Sequence, residues 1–183
     1  MGMTLRTEPQ NEYEEYLLER LRGGVELEHE VAASNEARGF GRMKVCSVEE
    51  FVLTNGGFWG PRREDVPCRG TAQRCYGNAQ RYARTHKGVW YVEGLAVSVD
   101  DEDDFVLRHA WCVDDGGAVI DVTPQWCRGV NYAYFGVVLP MDLVDEQIEG
   151  NTESVCVLDN WEKEFPLLKL VEGKPQRIEC PFA

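Results

Sequence analysis

The chain has no apolar run approaching the ~20 residues of a membrane span. It holds only three histidines, at 29, 86 and 109, and no C-x-x-C among its seven cysteines. Basic residues are the minority, 19 Lys and Arg against 32 Asp and Glu, for a formal net charge of −13. Each shortage excludes something. Without an apolar span no membrane partner is expected, and without a basic surface no general nucleic-acid binding is expected. Met1 to Gln10 is polar and lacks the apolar core of a signal peptide, so a cytoplasmic location is the expectation. An odd number of cysteines in that setting argues against a disulfide framework. No histidine stands at a ligand spacing from a cysteine, so no metal site and no cofactor are called for.

What is present is an ordinary globular composition, 43% hydrophobic and 10% aromatic over 183 residues. One domain over residues 1–183 is expected, with an N-terminal helical part (1–60), a core (71–140) and a C-terminal extension (141–183). Thr7-Glu8-Pro9-Gln10 has the pattern of a capping box. It opens an amphipathic helix through Tyr13, Tyr16, Leu17 and Leu21, which Gly23-Gly24 ends. Residues 25–37 continue as a second helix anchored by Val31, with His29 solvated. Ser47-Val48-Glu49-Glu50 opens another helix, closed by Asn55-Gly56-Gly57. Residues 58–70 read as a loop whose Phe58-Trp59 pair either closes over a cleft or plugs the core. Thr71 caps the helix that carries Cys75, and Gly88 closes it. A strand follows over residues 89–99, where Gly94 admits a bulge or the close approach of another backbone. Asp100 to Asp104 is an acidic loop. Beyond it come a strand from Phe105, an irregular stretch at 126–129 and a strand over 132–139. A helix near 142–149, a strand near 154–158 and an apolar segment at 165–171 complete the chain.

Residues 108–125 read as a β-hairpin. Apolar and β-branched residues lead into Asp114-Asp115-Gly116-Gly117 and away again to Thr123-Pro124. A three-residue loop of Asp114, Asp115 and a left-handed Gly116 fits the type I turn plus one left-handed residue. Val113 then faces Gly117, Trp111 faces Val119, and His109 faces Asp121 on one side of the sheet. A two-residue loop would send His109 and Asp121 to opposite faces.

Cys75 falls near the start of its helix, where unpaired N–H groups and the helix dipole favour negative charge. Residues 61–87 carry seven basic and two acidic side chains, a net of +5 in an acidic protein. Both features favour a reactive thiolate. Thiol chemistry on a carbonyl needs a nucleophile, a base and a group that orients the base. Cys75, His109 and Asp121 supply all three. His86 lies eleven residues past Cys75 on one helix, about 16 Å along its axis, and cannot reach.

Cys75 at a helix head, a strand, His109-Ala110-Trp111, a short turn and Asp121-Val122-Thr123 together resemble the transglutaminase-like branch of the papain-like cysteine enzymes. Tyr91 to Ala96 is similar to the strand between Cys and His in that group. The resemblance covers residues 71–125. Around the nucleophile the chain reads Arg74-Cys75-Tyr76-Gly77-Asn78 where the family has Gly-x-Cys-Trp or Gly-x-Cys. The resemblance implies an α+β fold with a papain-like or transglutaminase-like core. In it the Cys helix packs on an antiparallel sheet bearing His and Asp, behind N-terminal helices.

The expected activity is therefore a cysteine-nucleophile hydrolase or acyltransferase. It would act on an amide, peptide or related acyl bond through a thioester on Cys75, with His109 as base and acid and Asp121 as its orienting group. Water or an amine as acyl acceptor separates hydrolase from transferase, and both stay open. The backbone N–H of Cys75 is the first oxyanion donor, and Gln73 and Asn78 are side-chain candidates. Trp111 either shields the His–Asp pair or packs beneath the hairpin. Glu93 is a candidate contact for a substrate amine, or an exposed residue. The acidic loop at 100–104 points to a basic substrate and the basic strip near Cys75 to an acidic one. An alternative of another class is a catalytically inactive relative used as a binding or inhibitory protein. A redox or metal-binding role is weaker still without C-x-x-C.

Overall fold

Four helices and a curled antiparallel sheet form the computed structural model, which describes residues 5–41, 44–66, 69–98, 105–124, 133–149 and 155–180. The stretches at 100–104 and 126–129 lie outside these residues. Helix α1 (Glu12–Ala37) starts at Asn11, whose side-chain oxygen accepts from the N–H groups of Tyr13 and Glu14. Thr7 is not its cap. Arg6 forms a β-bridge with Phe58, so the backbone before Gln10 is committed to the sheet rather than to a helical turn.

Nor do Gly23 and Gly24 end α1; one 26-residue helix replaces the two expected. Glycine inside a helix costs about 1 kcal/mol relative to alanine. At Gly24 there is a packing reason to bear that cost. A Cβ there would stand 3.3 Å from Glu49 Cγ, on the neighbouring helix α2 (Val48–Asn55). Leu17, Leu18 and Leu21 are buried, whereas Val31 is 51% exposed and anchors nothing. Helix α2 opens as expected, with Ser47 Oγ accepting the Glu50 N–H at 3.0 Å.

Strand β1 (Gly57–Trp59) replaces the expected loop, and Phe58 and Trp59 are both core residues. Helix α3 (Cys75–Thr85) is followed by β2 (Val89–Ser98), β3 (Phe105–Asp114), β4 (Val119–Ile120) and β5 (Ala133–Leu139). Helix α4 (Met141–Ile148) comes next. The strand order is β1-β5-β2-β3-β4, antiparallel throughout. No strand forms at 155–158. Those residues are irregular, and their backbone donors are satisfied by a buried side chain described below.

The sheet curls until its two edges share one segment. Val119 donates to the Pro61 carbonyl at 2.9 Å, and Arg63 donates to the Val119 carbonyl at 2.7 Å. The chain leaving β1 at one edge thus runs beside β4 at the other. Trp59, Val92, Trp111, Val113, Val119 and Tyr134 fill the inner face. The outer face, including Tyr91, Leu95, Cys112 and Phe135, is covered by Leu17, Phe51, Ala79 and Val144 from the four helices.

Gly94 resolves to close backbone approach rather than a bulge, since β2 and β3 pair without interruption. It faces Gly136 on β5, and a Cβ on Gly94 would fall 2.2 Å from the Phe135 carbonyl oxygen. On its other side Gly94 faces His109. The sheet position beside the imidazole therefore carries no side chain.

Candidate active site

His109 sits on β3 and Asp121 one residue past β4, and the hairpin between them decides whether they meet. The left-handed residue is Gly117, with φ 78°, not Gly116. Asp114 stays in the strand and starts the turn: its carboxylate oxygen accepts from Gly116 N–H at 2.9 Å and Ala118 N–H at 3.0 Å. Asp at the first position of a type I turn is favoured for this reason. The loop is three residues long, as expected, but displaced by one, so Val113 pairs with Val119 and Cys112 with Ile120. The register differs from the expected one by two residues. A shift of two preserves the face. His109 and Asp121 are diagonal neighbours rather than directly opposed, and His109 Nε2 lies 2.7 Å from Asp121 Oδ2.

Both side chains are buried, His109 at 1% and Asp121 at 2% exposure. The other Asp121 oxygen accepts the Thr123 backbone N–H at 3.0 Å. Tyr134, which sequence reasoning missed, donates its hydroxyl to Asp121 Oδ2 at 3.2 Å. Tyr134 is on β5, three strand spacings from β4, or about 14 Å across a flat sheet. Only the curl brings the phenol to the carboxylate, and no local spacing signals it. Trp111 is fully buried and lies nearly parallel to the imidazole, ring centroids 6.0 Å apart. It packs in the inner-face cluster beside the His–Asp pair. Among the described residues its buried indole N–H has no acceptor.

Cys75 is the first residue of α3 and is half-buried. Arg74, not Thr71, occupies the cap position, with no side-chain cap bond. The first intrahelical bond runs from Asn78 N–H to the Arg74 carbonyl, so the Cys75 N–H precedes the helical ladder. The Cys75 thiol is close enough to help raise the imidazole's pKa. Asp121 holds Nε2, so Nδ1 is the ring nitrogen on the far side from the carboxylate. Burial by itself would push the His109 pKa down. The Asp121 carboxylate, through charge and hydrogen bond, and then Cys75 outweigh it and raise the pKa to about 9. The imidazolium therefore persists through the neutral range, buried and next to sulfur.

The remaining candidates separate. Asn78 is 3% exposed, and its amide nitrogen donates to the Thr71 carbonyl at 2.7 Å and to Thr123 Oγ1 at 3.3 Å. Both N–H groups are spent, which leaves none for an oxyanion. Its oxygen accepts the Thr71 N–H at 2.9 Å, so Asn78 ties the approach to Cys75 to the segment that carries Asp121. Gln73 is exposed, two residues before the thiol, at φ 60°. The left-handed region costs a non-glycine residue roughly 1–2 kcal/mol, and such positions concentrate at functional sites. His86 caps the far end of α3, stacked on Tyr82, away from the thiol as its spacing requires.

Glu93 is neither exposed nor aimed at a substrate. It is 1% exposed and accepts from Tyr91 Oη at 2.6 Å, Val157 N at 2.7 Å, Leu158 N at 2.9 Å and Cys156 Sγ at 3.2 Å. Burial pushes its carboxyl above the usual range, and these hydrogen bonds only partly offset that. Cys156 in turn bonds Tyr76, the residue after Cys75. Through Glu93 the C-terminal part of the chain braces the start of α3.

The raised His109 pKa carries a stability prediction. A group whose folded pKa (about 9) exceeds its ordinary value (6.5) stabilises the fold fully below pH 6.5 and loses that contribution as pH rises through 9. Urea midpoints between pH 6 and pH 10 are expected to fall by on the order of 3 kcal/mol of unfolding free energy. His109→Gln is expected to flatten that slope. An unchanged slope in the variant would show that His109 is not the titrating group.

Among the described residues no helix is long and apolar enough to cross a membrane. No protein-family model, no curated protein and no solved structure matches the chain, so the site stands on its own geometry.

Proposed function

We propose that the protein is a cysteine-nucleophile acyl-transfer enzyme, a hydrolase or acyltransferase acting on an amide, peptide or related acyl bond. The observation that carries this reading is the buried His109–Asp121 pair at 2.7 Å with the Cys75 thiol on the same imidazole. With its proton already on His109, Cys75 Sγ attacks the acyl carbon. The imidazolium then gives that proton to the leaving amine as the C–N bond breaks, leaving a thioester on sulfur. Water or an amine, deprotonated by His109, attacks the thioester and restores the thiol. Asp121 orients the ring and compensates its charge, itself fixed by Thr123 and Tyr134. The Cys75 N–H at the helix start and the Gln73 side chain are the oxyanion donors in this reading.

The order helix, strand, His strand, turn, Asp supports a transglutaminase-like or papain-like arrangement. So do the inner-face placement of the pair and the α3 packing on β3, where Cys112 Sγ donates to the Ala79 carbonyl at 3.2 Å. The test is intact-mass analysis after incubation with p-nitrophenyl acetate, followed by peptide mapping. One acetyl group on Cys75, turning over in buffer and absent from Cys75→Ser, is the expected result. Acetylation spread over other residues and undiminished in Cys75→Ser would favour the binding-protein alternative.

A further inference from the structure

A pocket of about 200 Å3 opens beside α3, between that helix and the chain at Gly70 and Val122. Neither Cys75, His109 nor Asp121 lines it. It is a separate site from the nucleophile's. On α3 its wall is the stripe Asn78, Arg81, Tyr82 and Thr85, spaced so that all share one face. Gly70 closes the other side so tightly that a Cβ would meet Asn78 at 2.5 Å and the Val122 carbonyl at 2.8 Å.

The charges around it are one-sided. Arg69 and Arg81 line the pocket, both exposed, and no acidic side chain does. Arg63 is neutralised by Asp65 and Asp114, and Arg84 by Asp145. Among the described residues neither Arg69 nor Arg81 has an ion-pair partner. Two unneutralised guanidinium groups at one concavity are unusual in a chain of net charge −13. Their shared positive field favours an anion, and the planar fork of each suits carboxylate or phosphate oxygens. The stacked Tyr82 and His86 rings, centroids 3.8 Å apart, and Val122 add a flat, partly apolar wall.

We propose that this pocket binds a small anionic ligand through its carboxylate or phosphate oxygens. Arg69 and Arg81 grip the oxygens, and the body of the ligand lies on Tyr82 and Val122. The site does not depend on the acyl-transfer reading. It does share the Asn78 amide with the triad: the residue that walls the pocket also holds Thr123, next but one to Asp121.

Isothermal titration with inorganic phosphate and, separately, with glutarate tests the proposal. Wild type, Cys75→Ser, Arg69→Gln and Arg81→Gln are compared, the last two being exposed positions whose folding circular dichroism checks. One saturable site is expected, unchanged in Cys75→Ser and about tenfold weaker in each arginine variant, as loss of a charged hydrogen bond predicts. Tighter binding of phosphate assigns a phosphorylated ligand, and tighter binding of glutarate a carboxylate. Absence of saturable binding by either probe, or equal affinities in both arginine variants and wild type, overturns the proposal.

Discussion

Acylation of Cys75 by p-nitrophenyl acetate at pH 7 is expected to slow by about 10²–10⁴ in His109→Ala, the range that a positioned acid–base group contributes. The imidazole is the group that engages the sulfur, and its charge is sustained by a carboxylate 2.7 Å away in a site closed to water. Alanine removes the base and, among the described residues, leaves buried Asp121 with the Thr123 N–H and Tyr134 Oη as hydrogen-bond partners. Asp121→Asn keeps the size but loses the charge, so the imidazolium loses its main support; a smaller drop than in His109→Ala is expected. Tyr134→Phe removes a single neutral hydrogen bond to Asp121 and is expected to cost less again. Stopped-flow release of nitrophenolate orders the three variants. Equal rates in wild type and His109→Ala would leave the imidazole without a part in the chemistry.

Replacing Glu93 by alanine is expected to destabilise the fold by about 3–5 kcal/mol, since three buried donors lose their acceptor at roughly 1–3 kcal/mol each. The carboxylate gathers four donors, and its removal orphans the Val157 and Leu158 N–H groups and the Tyr91 hydroxyl. Neighbours cannot repair this, because Gln80 Nε2, the other polar group at hand, is itself a donor to Tyr91 and to the Val155 carbonyl. Glu93→Gln retains one acceptor oxygen but turns an N–H₂ toward donors, and an intermediate loss is expected. Urea denaturation of the three proteins measures the difference. Hydrogen exchange should show Val157 and Leu158 opening first in the alanine variant. A loss below 1 kcal/mol would mean that the 155–158 segment is held by other contacts.

How far the sequence carried the reading depends on whether a signal was local. Ser47 and the Glu50 amide are three residues apart, and that cap was legible outright. The pairing of His109 with Asp121 was legible as a matter of face, because side chains alternate strictly and a shift of two residues changes nothing about which side they take. Which glycine turned left-handed was not legible. Gly116 and Gly117 both meet the conformational need, and Asp114 decided between them with its own carboxylate. Gly24 misled because tertiary packing against Glu49 outweighed a modest propensity cost, while Gly23 has no neighbour within 4 Å and is simply carried in the helix. Glu93 and Tyr134 could not be placed at all. The first acts on residues 64 and 65 positions further along, and the second reaches Asp121 only through the sheet's curl.

The central claim is that one cysteine is set apart from six others by its place at the head of α3 against a buried imidazolium. Burial raises the Cys46 pKa to about 11 and pushes the Cys112 and Cys156 thiols higher still. Residue-resolved iodoacetamide labelling of all seven cysteines at pH 7, followed by mass spectrometry over time, reads the claim directly. Cys75 is expected to react first and at least tenfold faster than any other cysteine, with that lead lost in His109→Ala. Labelling of Cys75 no faster than Cys180, or a lead that survives His109→Ala, would contradict it.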